Sequence, residues 1–369
     1  AFERIRIISS HWKELQSKVK HLLVAFIIVL PIHYASSDPD PESQSATADH
    51  AKNRVAVETY TPPKGLKMRP PRYPRRAISG GMEGYAILNL MVAPDGSPYE
   101  VTVSESSNRI FERAAIRAVE ASEFAPAVMG DKAIDAGMVY KLTFELTGGI
   151  SARKKFTARY RALLESILAD DRPRAEDDVA VLKGLDITNN SEHALLHLGL
   201  YQFYLKWGDD TQRLKALNGV TSQLDSKFLN PSVLHSSLLA KFALQTRLKD
   251  FGGALQTYEL IGEQNMDATV VDKLATTVAS IRDLKADDRA YAVEGEIPIH
   301  YSWFFRLFKK RFQLTDVVGE IAEIKLRCER DFVSFRFDPD LEYSVSEAAG
   351  ECGLELLGNP NTTFKLVQR

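Results

Sequence analysis

The chain has 369 residues, enough for two or three domains, and its apolar and charged fractions of 44% and 26% are ordinary for a soluble protein. A net charge of −2 excludes a global field that would draw the protein to nucleic acid, and no nucleic-acid-binding motif occurs. The two cysteines, Cys328 and Cys352, would be free thiols in a cytosolic protein and one disulfide in an exported protein.

Residues 1–37 have the pattern of a secretory signal peptide. Lysines precede a run of about ten apolar residues, Pro31 breaks that run, and small residues before Asp38 offer a cleavage site. The run is shorter than the roughly 20 apolar residues that usually span a bilayer. An uncleaved N-terminal membrane anchor is the alternative, and a buried helix is a third reading. Contact with a membrane is expected only through this segment.

Residues 38–69 are predicted to form a disordered linker, because their mixture of Ser, Pro, Glu, Gln and Thr lacks periodicity. A basic stretch from Lys64 to Arg76 lies among prolines. We interpret it as a solvated lead into the first strand, and contact with lipid headgroups or an acidic partner is the alternative.

Residues 70–148 have the pattern of a small α+β domain. Two apolar-rich strands flank a Pro-Asp-Gly turn, a helix follows, and a third alternating strand ends the unit. Ser107 or Asn108 can cap the helix. The predicted β-β-α-β elements are residues 85–92, 99–105, 111–119 and 138–146.

This unit carries, in order, Tyr73-Pro74, Ala77, Glu83-Gly84, Asp95-Gly96, Phe111, Ala114-Ala115 and Phe124 with Pro126. In this order and spacing, the residues resemble the C-terminal domain of TonB proteins. The resemblance implies a protein of the Gram-negative periplasm, secreted or anchored to the inner membrane, that passes energy to an outer-membrane transporter. It also implies that the third strand is a free sheet edge, which captures the transporter's N-terminal peptide.

The partner-binding residues that this resemblance implies are Tyr73, Pro74, Val139, Tyr140, Lys141, Leu142, Thr143 and Phe144. The TonB family also uses a Ser-x-x-x-His pair in its membrane helix to contact an ExbB–ExbD-type proton motor. Ser17 and His21 have that spacing, but they precede the apolar run and enclose two lysines. We therefore expect peptide capture and leave motor coupling open. A soluble periplasmic scaffold without motor coupling is the alternative function.

Residues 151–289 change to helical periodicity. A strongly apolar helix runs from Ala194 to Trp207, and a pair of antiparallel helices is expected around Gly252-Gly253. Fragments of this region resemble tetratricopeptide repeats, although their spacing exceeds the usual ~34 residues. His193 and His197 have the i, i+4 spacing of metal ligands, but no clear third ligand accompanies them. We interpret them as packing residues and expect no metal or other cofactor.

Residues 290–369 are predicted to form a small antiparallel β domain, which completes an α+β multidomain chain. Alternating segments at 322–328 and 333–337 predict one hairpin, and segments at 352–357 and 362–367 predict a second. In an exported protein, Cys328 and Cys352 would form a disulfide between strand ends.

Catalytic motifs are absent from the sequence, which contains no nucleophile elbow, zinc-protease motif, phosphate-binding Gly loop or dinucleotide fingerprint. The aromatic segment from Trp303 to Phe308 is interpreted as an inner-facing strand or short helix with a charged end. Its alternative is a surface that binds membrane or glycan. The sequence therefore predicts a binding protein and no enzyme.

Overall fold

The computed structural model describes residues 60–146, 152–222, 229–264, 266–299 and 302–369. The predicted signal or anchor segment, the Ser17–His21 pair and the predicted linker up to residue 59 lie outside these ranges. Among the described residues, no helix is long and apolar enough to cross a membrane.

The first part of the described chain contains a three-stranded antiparallel sheet. Its elements in chain order are β1 (Tyr60–Thr61), β2 (Lys64–Lys67), α1 (Arg75–Ser79), β3 (Gly84–Val92), β4 (Pro98–Ser106), α2 (Glu112–Glu120), β5 (Glu123–Ala125), β6 (Ala127–Met129), β7 (Lys132–Ile134) and β8 (Ala136–Phe144). The strand order is β4-β3-β8, so the almost wholly buried β3 lies in the centre.

One face of this sheet, which we call the front face, packs against α2. Leu88 and Leu90 of β3 share a core with Phe111 and Val119 at the helix and with Phe144 of β8. Burial of these side chains contributes about 25 cal/mol per Å² of apolar surface. The apolar positions of the strands and of α2 therefore form a single core layer between the sheet and the helix.

Two predictions in this part are wrong. Ser107 and Asn108 do not cap α2 by a side-chain bond, because the helix begins one turn later with Phe111 at its N-cap position. The predicted linker extends too far, because β1 pairs with β6 and β2 pairs with β5. Strands of two and four residues are too short to show an alternating pattern, and pairing with distant segments orders them.

Helices make up the second part. They are α3 (Lys154–Leu168), α4 (Arg172–Lys183), α5 (Asn190–Trp207), α6 (Asp210–Thr221), α7 (Pro231–Arg247), α8 (Phe251–Glu263) and α9 (Ala268–Ala286). Local signals set their ends: the Asp209 and Gln212 side chains form a capping box at α6, and α5 ends before Gly208. The expected Gly252-Gly253 turn is wrong, because Asp250 caps α8 and both glycines lie in its first turn.

The last part is a β-sandwich. Its strands are β9 (Tyr291–Glu296), β10 (Trp303–Arg306), β11 (Arg311–Val318), β12 (Ile321–Cys328), β13 (Phe332–Arg336), β14 (Tyr343–Ser344), β15 (Cys352–Gly358) and β16 (Thr363–Gln368). They form two sheets, in the orders β10-β15-β12-β13 and β14-β11-β16-β9. Side chains of both sheets, among them Phe312 and Leu354, share one core.

The first predicted hairpin of this part is present, because β12 pairs with β13. The second is wrong: β15 pairs with β12 and β10, whereas β16 pairs with β11 and β9. The chain between them crosses from one sheet to the other. Both strands face the same core, so their alternation alone could not distinguish a hairpin from a crossover.

The two cysteines lie directly opposite each other in the β12–β15 pair and are joined by a disulfide. The bridge is buried and closes a sequence separation of 24 residues. In the chain-entropy picture, a loop of this size contributes about 3 kcal/mol by restricting the unfolded chain. The bond is the one expected for these cysteines in an exported protein.

Candidate partner-binding edge

Strand β8 is the edge of the three-stranded sheet and has the predicted partner-binding residues along it. It pairs with β3 over nine residues without a register shift, from Gly84 opposite Phe144 to Val92 opposite Ala136. In the described part of the chain, no strand pairs with the other side of β8. An edge strand presents unpaired backbone donors and acceptors that can bind another extended chain.

The hydrogen bonds of β3 show which residues of β8 face outward. Tyr85 N donates to Ser107 Oγ at 2.9 Å, and Ser107 N donates to Tyr85 O at 3.0 Å. The backbone of Tyr85 therefore faces β4, and alternation turns the backbone of Ala86 toward Leu142 of β8. It follows that the odd-numbered residues of β8 direct N–H and C=O away from the sheet. They are Gly137, Val139, Lys141 and Thr143.

The side chains of β8 divide between the two faces of the sheet. Tyr140, Leu142 and Phe144 pack against the front-face core. Val139 lies on the opposite face, which we call the back face, and 53% of its surface is exposed. Thr143 is exposed there as well. An added strand would therefore meet an apolar side chain and an accessible hydroxyl on the back face.

Tyr73 and Pro74 lie at the Phe144 end of β8. The Tyr73 ring packs edge-to-face on Phe144, with 5.6 Å between ring centroids, and its hydroxyl donates to Met82 O at 2.6 Å. Burial, together with the nearby charges of Glu83 and Glu145, raises the pKa of Tyr73 to about 12. Tyr73 therefore closes the front-face core as a neutral phenol. Pro74 precedes α1, and its carbonyl accepts the first N–H bonds of that helix.

The helical part covers one end of the back face. Tyr85 is fully buried, and its ring packs on His193 of α5 with 5.3 Å between centroids. Its hydroxyl accepts a bond from Ser222 Oγ at 2.9 Å and donates to Glu105 Oε1 at 2.5 Å. Lys141 Nζ donates to Ser222 O at 2.5 Å. The edge strand is therefore tied by its own side chain to the segment that follows α6.

The sandwich covers the other end of the back face. A bulge in β4 places Glu100 at a φ of 49°, and its carboxylate accepts from Lys325 Nζ at 2.6 Å. Arg327 Nη1 donates to Glu100 O at 2.8 Å, and Arg327 Nε donates to Glu355 Oε2 at 2.7 Å. Both side chains of the Arg327–Glu355 pair are buried. Gly137 of β8 lies close to the backbone of β12 in the sandwich. A Cβ at this position would lie 3.0 Å from Cys328 O, so the glycine allows the two backbones to approach each other.

Where the helical part covers the back face, the rings of His193 and His197 pack against each other at a tilt, with 4.4 Å between ring centroids. Burial, with Lys215 and Lys183 nearby, lowers the pKa of His197 to about 4, and burial also lowers the pKa of His193. Both imidazoles are therefore neutral near pH 7. Within the described residues, no group of three or more His, Cys, Asp or Glu side chains could hold a metal ion.

The residues that dock the other two parts onto the back face could not be identified from the sequence. Tyr85, Glu100, Ser222 and Arg327 belong to different parts of the chain, and none of them stands in a motif. The nearly continuous apolar run of β3 is the signal that could have indicated a covered back face, because strands buried on both faces read as continuous apolar runs.

The segment that contains this sheet and its edge matches a known protein family. Residues 69–146 match the family of the Gram-negative bacterial TonB protein C-terminal. This segment is a TonB C-terminal domain. The match ends at residue 146, so the tetratricopeptide resemblance of the helices that follow stays a prediction.

Relatives of the TonB-like domain are found among curated and solved proteins. Protein tonB2 of Pseudomonas aeruginosa is 40% identical over 77 residues, which are 21% of this chain and 28% of that protein. The chain therefore spans little more than a quarter of the length of this curated relative. The helical part and the sandwich lie wholly outside the residues that match the family.

Two solved structures are also similar. The solution NMR structure of the Pseudomonas aeruginosa TonB CTD is 30% identical, with a TM-score of 0.22, and the match covers 24% of this chain and 92% of that one. The tonb2 protein from Vibrio anguillarum is 26% identical, with a TM-score of 0.20, and the match covers 30% of this chain and 99% of that one.

Proposed function

We propose that β8 binds an extended segment of an outer-membrane transporter, or of a similar envelope protein, as a fourth strand of the sheet. One observation carries the proposal: a nine-residue edge with outward backbone groups at residues 137, 139, 141 and 143 lies in the TonB-like domain. In strand addition, main-chain hydrogen bonds supply affinity, and alternate side chains supply selectivity.

Val139 and Thr143 are the exposed back-face residues that would select among partners. Gly137 lies close to the sandwich backbone, and the Lys141 ammonium is bonded to Ser222 O, so neither is free to adapt to a ligand. Val139 lies between them and is exposed. A β-branched or aromatic residue of the partner opposite Val139 would add a cross-strand contact of about 0.2–1 kcal/mol.

A proline at Val139 tests the proposal. Proline lacks the outward N–H that an added strand would bond, and edge strands tolerate proline where the N–H faces solvent. We expect Val139→Pro to weaken binding of a transporter's N-terminal peptide to the full chain at least about tenfold, which is about 1.4 kcal/mol. Fluorescence anisotropy of a labelled peptide measures this change.

Val139→Thr is the matched control, because it keeps the N–H and the β-branched shape, and its affinity should stay within about twofold of wild type. Leu142→Pro is unsuitable, since the backbone of Leu142 bonds to β3 and the variant would damage the sheet itself. Wild-type affinity in a folded Val139→Pro variant would contradict strand addition at β8.

Energy transduction is the second step of the proposal. Force from an ExbB–ExbD-type motor of the inner membrane would act on the transporter through the paired strands, as the TonB resemblance implies. The alternative is a periplasmic scaffold that binds the same peptide without motor coupling. Transporter-dependent uptake in cells separates them: a transducer loses uptake with Val139→Pro, whereas a scaffold binds peptide in vitro but leaves uptake unchanged when its gene is deleted.

A further inference from the structure

A solvent-open cavity lies between the end of α9 and the sandwich. It has a volume of about 350 Å³. This volume is within the range of small-molecule sites and suits a ligand of amino-acid or phosphate-ester size. Its lining residues are Arg282, Lys285, Ala286, Phe308, Lys309, Lys310, Glu329, Arg330, Glu347, Gly350 and Glu351.

Cationic groups outnumber acidic groups in this lining, and two of the cations are already satisfied. Lys285 Nζ pairs with Glu351 Oε1 at 2.5 Å. The buried Lys309 Nζ bonds to the backbone oxygens of Asp287 and Arg289, each at 2.6 Å. These two lysines therefore hold α9 and its following segment on the sandwich.

The other three cations of the lining have weaker acceptors. Lys310 Nζ donates to Gly350 O at 2.6 Å and lies 3.8 Å from Glu347 Oε2, on a side chain that is 85% exposed. Among the described residues, Arg282 forms no ion pair within 4 Å. Arg330 Nη2 donates to the backbone oxygen of Glu347 at 3.3 Å, which is a long bond to an uncharged acceptor.

The guanidinium of Arg330 has unused donor capacity. Its Nε is shielded from solvent and has no hydrogen-bond acceptor. A Cβ at Gly350, which has a φ of +74°, would lie 3.1 Å from this nitrogen and 2.5 Å from Glu329 Oε2. The glycine therefore keeps the space beside the guanidinium open. A buried donor without an acceptor costs about 1–3 kcal/mol, and an oxyanion with two oxygens satisfies a guanidinium best.

From these contacts we propose that the cavity binds a small ligand through a carboxylate or phosphate group held by Arg330, Lys310 and Arg282. Phe308 and Ala286 supply an apolar side of the cavity. The carboxylates of Glu329 and Glu347 lie in the same lining, so a ligand that also carries an ammonium group would be favoured. The site is independent of strand addition at β8.

Isothermal titration calorimetry of the full chain with sodium phosphate, and separately with sodium glutamate, at matched ionic strength tests the site. We expect saturable binding of one probe with a Kd of about 1 mM or tighter. Phosphate binding alone would identify a phosphorylated ligand, and glutamate binding alone would identify an amino-acid-type ligand. Arg330→Gln and Arg282→Gln should each weaken that binding at least about tenfold.

Arg161→Gln, at an exposed position of α3, is the matched control and should leave the Kd unchanged. Arg282 is also exposed, so its variant tests the site even if Arg330→Gln reduces folding. Absence of saturable binding by both probes would overturn the proposal, as would affinities that neither arginine variant changes.

Discussion

The two faces of the central sheet are built on different chemistry. On the front face, Leu88, Leu90 and Phe111 meet in an apolar core formed within 80 or so residues of one domain. On the back face, Tyr85 and Glu100 bond to the helical part and to the sandwich, more than 100 positions away in sequence. The front face thus holds the domain together, and the back face holds the added parts to it.

This difference explains how a TonB-like domain can carry further parts and keep a free strand edge. Docking uses the back face and leaves the outward backbone groups of β8 unpaired in the described structure. Polar contacts across that face have a small net contribution each, because bonds to water are lost as they form. We therefore expect substitutions on the front face to cost more than those on the back face.

Phe111→Ala should produce the largest loss of stability. Phe111 is fully buried, and its ring centroid lies 4.6 Å from that of Phe144. A Phe-to-Ala change in a core typically costs about 3–5 kcal/mol, since it removes apolar contact and leaves a cavity. Urea unfolding measures the loss. Ile78→Ala is the control, because this side chain is exposed and its change should stay within about 0.5 kcal/mol. Equal effects would contradict a front-face core.

Acid should weaken the back face through His197, which contacts the helices that cover it. The folded imidazole stays neutral down to its pKa of about 4, whereas the unfolded imidazole takes up a proton below about 6.5. The unfolded state therefore binds more protons between these values, and stability falls as the pH decreases through this window. The contribution is at most about 3 kcal/mol, at 1.36 kcal/mol per pKa unit.

His197→Gln isolates this contribution. The variant should lose less stability than wild type between pH 6.5 and pH 4 when urea unfolding is followed at each pH, whatever its stability at pH 7. Identical slopes for His197→Gln and wild type would show that His197 titrates normally in the folded protein.

Much of the front face could be predicted from sequence, because its period-2 strands, its helix and the Pro-Asp-Gly turn are local signals that agree with one another. The back face could not, since Tyr85–Ser222 and Glu100–Lys325 join residues whose partners are set by docking of separate parts. The predicted hairpin of β15 and β16 was wrong for a related reason. Alternation indicates which face of a strand is apolar, but it does not indicate which strand lies beside it. The edge position of β8 was predicted from the family resemblance and not from a local sequence pattern.

Gly137→Ala should loosen the sandwich from β8. The added methyl would lie 3.0 Å from Cys328 O, so the two backbones must separate slightly, at a cost of about 1–2 kcal/mol. Gly262→Ala is the matched control: it lies in α8 with no atom within 4 Å of the new Cβ, and alanine should stabilise the helix by about 0.5–1 kcal/mol. Thermal unfolding gives both values. Stabilisation by Gly137→Ala would show that the close contact is absent.

The smallest expected effect is the most specific test of docking. Tyr85→Phe removes the bond between the tyrosine hydroxyl and Ser222 Oγ and leaves the ring packed on His193. In a double-mutant cycle with Ser222→Ala, we expect a coupling energy of about 0.5–1 kcal/mol from urea unfolding.

Tyr73→Phe is the control for this cycle. It loses a comparable bond on the front face, to Met82 O, and should be additive with Ser222→Ala to within about 0.5 kcal/mol. Additivity in both cycles would mean that the helical part does not dock on Tyr85. Coupling in the Tyr85 cycle alone would place the contact on the back face, because the two tyrosines differ in the face that they occupy.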